Sequence, residues 1–259
     1  MHDFLLELSL PAGLLLFTLI IVVYGVTIYL VSHQLIKGLI QKQHERVGRV
    51  LFRVSASLLA LILSISFANQ RVTYFKIANS LETEASKFVT LHMDLKMYGT
   101  PESDNIRAKI RNYITQVSQN NWEYLFDDPL HSKEFSLFKE IYRDVYLLTP
   151  ESEVQEGLKE SMIDDVQSLA DLIQVQLYST RPESNNLFYT TILGILICMS
   201  LLAIYKPDRL TLLMATGYTA FLGVVLYFIL MMTSPLEGPL QIRAEPFRLL
   251  AEIIENQYH

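Results

Sequence analysis

The sequence predicts an all-α integral membrane protein, with four apolar spans and a helical extramembrane domain inserted between spans two and three. Three observations carry this prediction. Hydrophobic side chains make up 51% of the 259 residues, more than an ordinary soluble domain holds, and they are gathered into long runs. The stretch from Arg49 to Tyr98 contains neither glycine nor proline, although both occur elsewhere in the chain. Apolar residues in the polar stretches recur at three and four, the period of a helix with one buried face.

Taken in order, residues 1–7 carry Asp3 and Glu7 and no lysine or arginine, and residues 8–31 then run uncharged. A cleaved leader needs a basic start and a short apolar core, so this segment is expected to remain as a transmembrane helix. The connection to the next span holds Lys37, Lys42, Arg46, Arg49 and Arg53 against the single acid Glu45. Span two is residues 50–68, closing a transmembrane hairpin of residues 1–68. Beyond it the apolar stripe Ile77, Leu81, Ala85, Phe88, Leu91, Leu95 and Tyr98 continues without a breaker. Residues 49–98 are therefore expected to form one helix about 75 Å long.

The extramembrane domain, residues 69–186, holds twelve Lys and Arg against nineteen Asp and Glu. Gly99-Thr100-Pro101 stops the long helix and starts the next, marked by Ile106, Ile110, Tyr113 and Val117. Asp128-Pro129 breaks the chain again before a helix marked by Phe135, Phe138, Ile141 and Val145. Thr149 as N-cap and Pro150 at the first helical position open a last helix with the stripe Val154, Leu158, Met162, Val166, Leu169, Ile173 and Leu177. Pro182 is the joint to span three. Spans three (187–205) and four (210–232) are joined only by Lys206 to Arg209, which permits nothing but an antiparallel pair. Residues 233–259 form a polar tail of about one helix and a turn.

Both short loops are basic and the termini acidic, which places the loops in the cytoplasm of an inner-membrane protein. The N-terminus, the helical domain and the C-terminus are then outside, in the periplasm.

The formal net charge of −6 argues against a nucleic-acid partner, because phosphate neutralisation needs a basic face. The lone Cys198 forbids an intrachain disulfide. The chain has no glycine-rich phosphate loop, His-Glu-x-x-His, Cys-x-x-Cys or Gly-x-Ser-x-Gly, so it is not expected to be an enzyme or to hold a cofactor. The pairs Asp127-Asp128 and Asp164-Asp165 read as solvated faces. His92, near Asp94, and His131 have no second nitrogen or sulfur ligand nearby, so no metal site is expected. Trp122 is expected to close the small core of the domain.

The second span carries more information. Ser55, Leu59, Ile62, Ser66, Asn69 and Thr73 share one helical face, a mixture of hydroxyl, amide and aliphatic groups. That face suits a water-accessible pore with an apolar constriction at Leu59 and Ile62. Packing within a bundle, with the serines bonded back to their own helix, suits it better on the sequence alone. Arg71 and Lys76 stand where they would attract anions at a pore mouth, or anchor the helix at the interface. The small-residue rows Ala60, Ser64, Ala68 and Ala215, Thr219, Gly223 permit close helix packing.

Several residues carry a family resemblance: Glu84-Ala85, Tyr113 followed by Trp122-Glu123, Pro235-Leu236-Glu237-Gly238, and Ala244-Glu245-Pro246-Phe247. From about Gly48 onward the chain resembles the bestrophin-like domain family, with Leu236 where that family has Phe. The resemblance implies two spans, a helical domain and two further spans, and a distant likeness to oligomeric anion channels. It also implies the opposite orientation, with the domain and both termini in the cytosol. The expected function is a homo-oligomeric ion channel in the lipid bilayer, passing small inorganic ions. The rival is a membrane-anchored sensor or scaffold without conductance.

Overall fold

A computed structural model describes residues 6, 8–38, 42–120, 132–179 and 186–256. The expected features at Asp3, Glu7, Trp122, Glu123, Asp127, Asp128, Pro129, His131 and Pro182 lie outside these. The described residues form eight α-helices and no strand: α1 (Leu10–Ile36), α2 (Lys42–Tyr98), α3 (Pro101–Asn120), α4 (Lys133–Leu147), α5 (Glu153–Ser179), α6 (Asn186–Leu202), α7 (Arg209–Met232) and α8 (Glu245–Asn256). A 3-10 turn covers Gly238–Leu240. Three helices, α1, α2 and α7, are long and apolar enough to cross a membrane. The fourth apolar segment, expected over 187–205, is shorter: α6 ends at Leu202 and the chain turns before Lys206.

The chain divides into two units, residues 1–74 with 182–241, and residues 75–181 with 242–259. In the first unit α1 is the centre. Its Gly13, Phe17, Ile21, Gly25 and Tyr29, spaced by four, are all buried. Both α6 and α7 pack on α1 more extensively than on each other, although the connection between them is short. Glycines allow the closest contacts. A Cβ at Gly223 would stand 3.1 Å from the Thr18 Cα, and one at Gly25 would overlap Thr219. Polar bonds tie α1 to the α6 segment: Tyr24 Oη to the Ile192 carbonyl at 3.3 Å, Tyr29 Oη to the Tyr205 carbonyl at 3.1 Å, and His33 Nδ1 against the Ala203 carbonyl at 2.8 Å. In a bilayer core, where water is scarce, such groups need internal partners. Asp208 caps α7 by accepting from Thr211 N–H at 2.7 Å.

The second unit packs α3, α4, α5 and α8 with the 75–98 part of α2. All seven expected stripe residues of α2 are buried, as are Ile106, Ile110, Tyr113 and Val117 of α3. Gly99 ends α2 with φ +72°, a left-handed conformation that L side chains resist. Thr100 and Ser103 then cap α3 reciprocally, through Ser103 N–H to Thr100 Oγ1 at 3.3 Å and Thr100 N–H to Ser103 Oγ at 3.1 Å. The start of α5 corrects the reading of Thr149 as its N-cap. The helix begins at Glu153, Ser152 Oγ accepts from Gln155 N–H at 3.3 Å, and the Gln155 side chain accepts from Glu151 N–H at 2.7 Å. Val154 is consequently 71% exposed, not part of the stripe. The C-terminal segment joins this unit, with Ala244, Phe247, Leu250 and Ile254 of α8 and its approach all buried.

Candidate functional site

Between Arg49 and Lys76, α2 buries only Leu59 and Leu63. Leu59 enters the first unit's core over Gly194, where an added Cβ would stand 2.7 Å from its Cδ1. Phe52 lies edge-on to Tyr218 with ring centroids 6.0 Å apart. The packed side of α2 is therefore rotated from the stripe singled out by its hydroxyls. Leu59 is a packing residue and not part of an exposed constriction, because Gly194 opens a place for it. Ser55 and Ser66 are half-buried at the rim of the contact, whereas Ile62 is 40% exposed and Asn69 and Thr73 are exposed. The exposed face that contains Ile62 runs Leu58, Ile62, Ile65, Asn69, a spacing of four, three and four that holds one side of a helix. Arg71 and Lys76 are both exposed, but helical rotation puts Arg71 on the side opposite Ile62 and Asn69.

The two small-residue rows have different surroundings. Ala215, Thr219 and Gly223 are buried. Ala60, Ser64 and Ala68 are exposed, and the Ser64 hydroxyl donates to the Ala60 carbonyl at 2.8 Å. Among the described residues no helix covers that row.

The helical unit contains a polar centre that the sequence reading did not assign. The Glu84 carboxylate is fully buried; Tyr113 Oη donates to its Oε1 at 2.8 Å and Gln176 Nε2 to its Oε2 at 2.6 Å. One acid thus links α2, α3 and α5. Burial pushes its pKa up from 4.5 to about 7, against the opposing pull of the bonds from Gln176 and Tyr113. His92, two turns further along α2, is 2% exposed with its Nε2 3.4 Å from Arg107 Nη2. Burial, reinforced by the charges of Arg107, Arg111 and Lys96, pushes its pKa down to about 4, so His92 is neutral in the fold. It faces Arg107 and not Asp94, whose carboxylate accepts from Ser161 at 3.1 Å. Of the pair Asp164-Asp165, Asp164 is exposed, but Asp165 is buried and paired with Lys87 Nζ at 2.6 Å. Lys109 Nζ joins α3 to α4 through Glu140 and Asp144, each at 2.8 Å. Among the described residues no group of three or more His, Cys, Asp or Glu is placed to hold a metal.

The signal for this centre was present in the sequence, since Glu84, His92 and Gln176 fall at core positions of apolar stripes where charged and amide groups are costly. Three of the residues that carried the family resemblance, Glu84, Tyr113 and Phe247, meet in the second unit. Glu84 and Tyr113 are hydrogen bonded. Phe88 lies 4.9 Å from the Tyr113 ring, and Phe247 lies 6.3 and 6.4 Å from Phe88 and Tyr113. In the first unit, Gly238 has φ +74°, and a Cβ there would stand 2.5 Å from Leu6 Cδ2, so the glycine of Pro235-Leu236-Glu237-Gly238 is required on both counts.

A family profile for the Bestrophin-like domain matches residues 19–247. The match begins within α1, earlier than the resemblance near Gly48, and ends at Phe247 in the aromatic cluster. No curated protein and no solved structure matches the chain.

Proposed function

The chain belongs to the bestrophin-like family, and from that membership we propose that this membrane protein is a homo-oligomeric ion channel, with anions favoured over cations. Its four apolar helices, α1, the first half of α2, α6 and α7, span the bilayer as two hairpins around the helical insert. The observation that carries the proposal is the unpartnered face of α2. The apolar window of this helix is only 11% buried, and its exposed side joins the apolar groups of Leu58, Ile62 and Ile65 to Asn69 and Thr73. Copies arranged about an axis would bring these faces together. Leu58, Ile62 and Ile65 form an apolar neck able to gate by dewetting, and Asn69 and Thr73 a polar exit. A lipid-facing Asn69 has no such compensation.

In this reading residues 37–53 and 206–209, which are basic, face the cytoplasm across the inner membrane, and the helical unit and both termini are outside. The resemblance favours the reverse.

The second reading is a membrane-anchored sensor or scaffold without conductance. It draws on Glu84 and His92, two buried titratable groups in the helical unit, which would let that unit respond to pH. Purified protein reconstituted in liposomes separates the two. Chloride flux above that of protein-free vesicles supports the channel. Absence of flux across pH 5 to 8 and across applied voltage overturns it in favour of the sensor.

A further inference from the structure

The basic end of α2 carries a feature that the channel reading does not use. Arg46, Arg49 and Arg53 are spaced by three and four, so they share one face of the helix, and all three are exposed. Two adjoining open hollows lie on this part of the helix. One, of about 470 Å³, is lined by Arg49, Phe52, Arg53, Ala56, Ser57 and Ala60; the other, of about 410 Å³, by Glu45, Arg46, Arg49, Val50 and Arg53. Arg49 and Arg53 line both. Arg49 Nε donates to Tyr205 Oη at 3.0 Å, while Tyr29 holds Tyr205 through its carbonyl. That bond uses the Nε–H, and the two terminal nitrogens of the guanidinium carry further N–H donors of the kind that contact a phosphate. Among the described residues neither Arg46 nor Arg53 is paired with an acid, and Glu45 is the single carboxylate in the connection.

The same face continues as the exposed row Ala60, Ser64, Ala68. With the Ser64 hydroxyl bonded to its own helix, the row is a shallow, apolar furrow. From Arg53 to Ser64 it covers about 16 Å, the depth of one leaflet of hydrocarbon, about 15 Å. An anion-binding head above an apolar furrow of that length matches a lipid and not a soluble anion. Guanidinium groups at the membrane surface attract anionic headgroups at about 1 kcal/mol each.

We infer that the Arg46–Arg49–Arg53 face of α2 is a binding site for an anionic phospholipid, its phosphate held by the arginines and one acyl chain lying along Ala60, Ser64 and Ala68. The inference rests on α2 crossing the membrane but not on the protein conducting ions, and its test reads lipid and not flux. Full-length protein in neutral detergent is titrated with phosphatidylglycerol or phosphatidylcholine, and retained lipid is counted by native mass spectrometry. The site predicts selective retention of phosphatidylglycerol, weakened about fivefold by Arg53→Gln and about 25-fold by Arg49→Gln with Arg53→Gln. Lys206→Gln with Arg209→Gln in the other loop leaves it unchanged. Because Arg53 makes no hydrogen bond or ion pair among the described residues, the single variant remains a fair test should loss of the Tyr205 bond unfold the double one. Equal retention of the two lipids, or no change in Arg53→Gln, overturns the inference. So does displacement of the lipid by millimolar inorganic phosphate, which marks a simple anion site. Complete disulfide crosslinking of two copies through Ala60→Cys overturns it as well, because it places a second chain on the furrow.

Discussion

Tyr113 donates a hydrogen bond of 2.8 Å to Glu84 across the α2–α3 contact, at a carboxylate with no exposure to solvent. With Gln176 completing the link, the bond sets the packing of three helices around an ionisable group whose pKa stands at about 7. The folded protein holds this proton up to about pH 7, while the unfolded chain releases it near 4.5. Folding therefore takes up a proton in that window, and stability falls as pH rises through it, by on the order of 3 kcal/mol at 1.4 kcal/mol per unit. Glu84→Gln removes this slope. The amide can still accept from Tyr113, and Gln176, whose Oε1 has no partner, can turn to accept from it. Measured in detergent, the melting temperature of the variant should climb relative to that of the wild type as pH rises from 4.5 to 7. An unchanged slope contradicts the assignment.

His92 works in the other direction. Its folded pKa of about 4 lies below the ordinary 6.5, so the unfolded chain binds more protons in this range and stability is lost as pH falls from 6.5 toward 4. The charges of Arg107, Arg111 and Lys96 add to the effect of burial, and Arg107 is itself paired with Asp104 at 2.8 Å. In the wild type the two slopes oppose each other between pH 4.5 and 6.5, and the melting temperature should be nearly flat. His92→Gln should expose the Glu84 slope, with stability rising toward low pH, and Glu84→Gln the reverse. Two single variants with the same slope would contradict this pairing.

The continuity of α2 predicts a cost for interrupting it. Val72 is 67% exposed, so Val72→Pro loses little packing but removes a helix hydrogen bond and clashes with the preceding turn, costing about 3 kcal/mol. Thermal stability in detergent should drop accordingly, and an unchanged melting temperature would reveal a break already present.

The basic loops predict a topology that labelling can test. Cys198 is buried, so cysteines added at exposed Glu45 and Ser86 can be read singly. In intact cells an impermeant thiol reagent should spare Glu45→Cys and label Ser86→Cys. The opposite pattern establishes the orientation that the family resemblance implies.

Helix period made most of the fold legible. The stripe from Ile77 to Tyr98 is buried at every position expected, because a face repeating at three and four has only one way to meet a core. Three features were not legible, each because its cause lies elsewhere in the chain. The packed side of α2 is decided by Gly194 on α6, a distant glycine that admits Leu59. The start of α5 is decided by the paired bonds of Ser152 and Gln155, a second capping signal three residues after Thr149. The polar centre was visible only as an acid, an imidazole and an amide out of place in apolar stripes; their meeting with Tyr113 and Arg107 is a tertiary fact. Glu84 and Tyr113 were singled out by resemblance, and the hydrogen bond between them supplies the physical reason.

Whether the exposed face of α2 lines an ion path, with Leu59 outside it, is decided by a paired measurement. Chloride flux from liposomes and melting temperature are recorded on the same preparations of wild type, Ile62→Ser and Leu59→Ala. Ile62→Ser should wet the neck and raise flux with little change in melting temperature. Leu59→Ala, which empties the place over Gly194, should lose about 2–5 kcal/mol of stability without any gain in flux. Ile62→Ser with a lowered melting temperature and flux no greater than wild type would contradict the account.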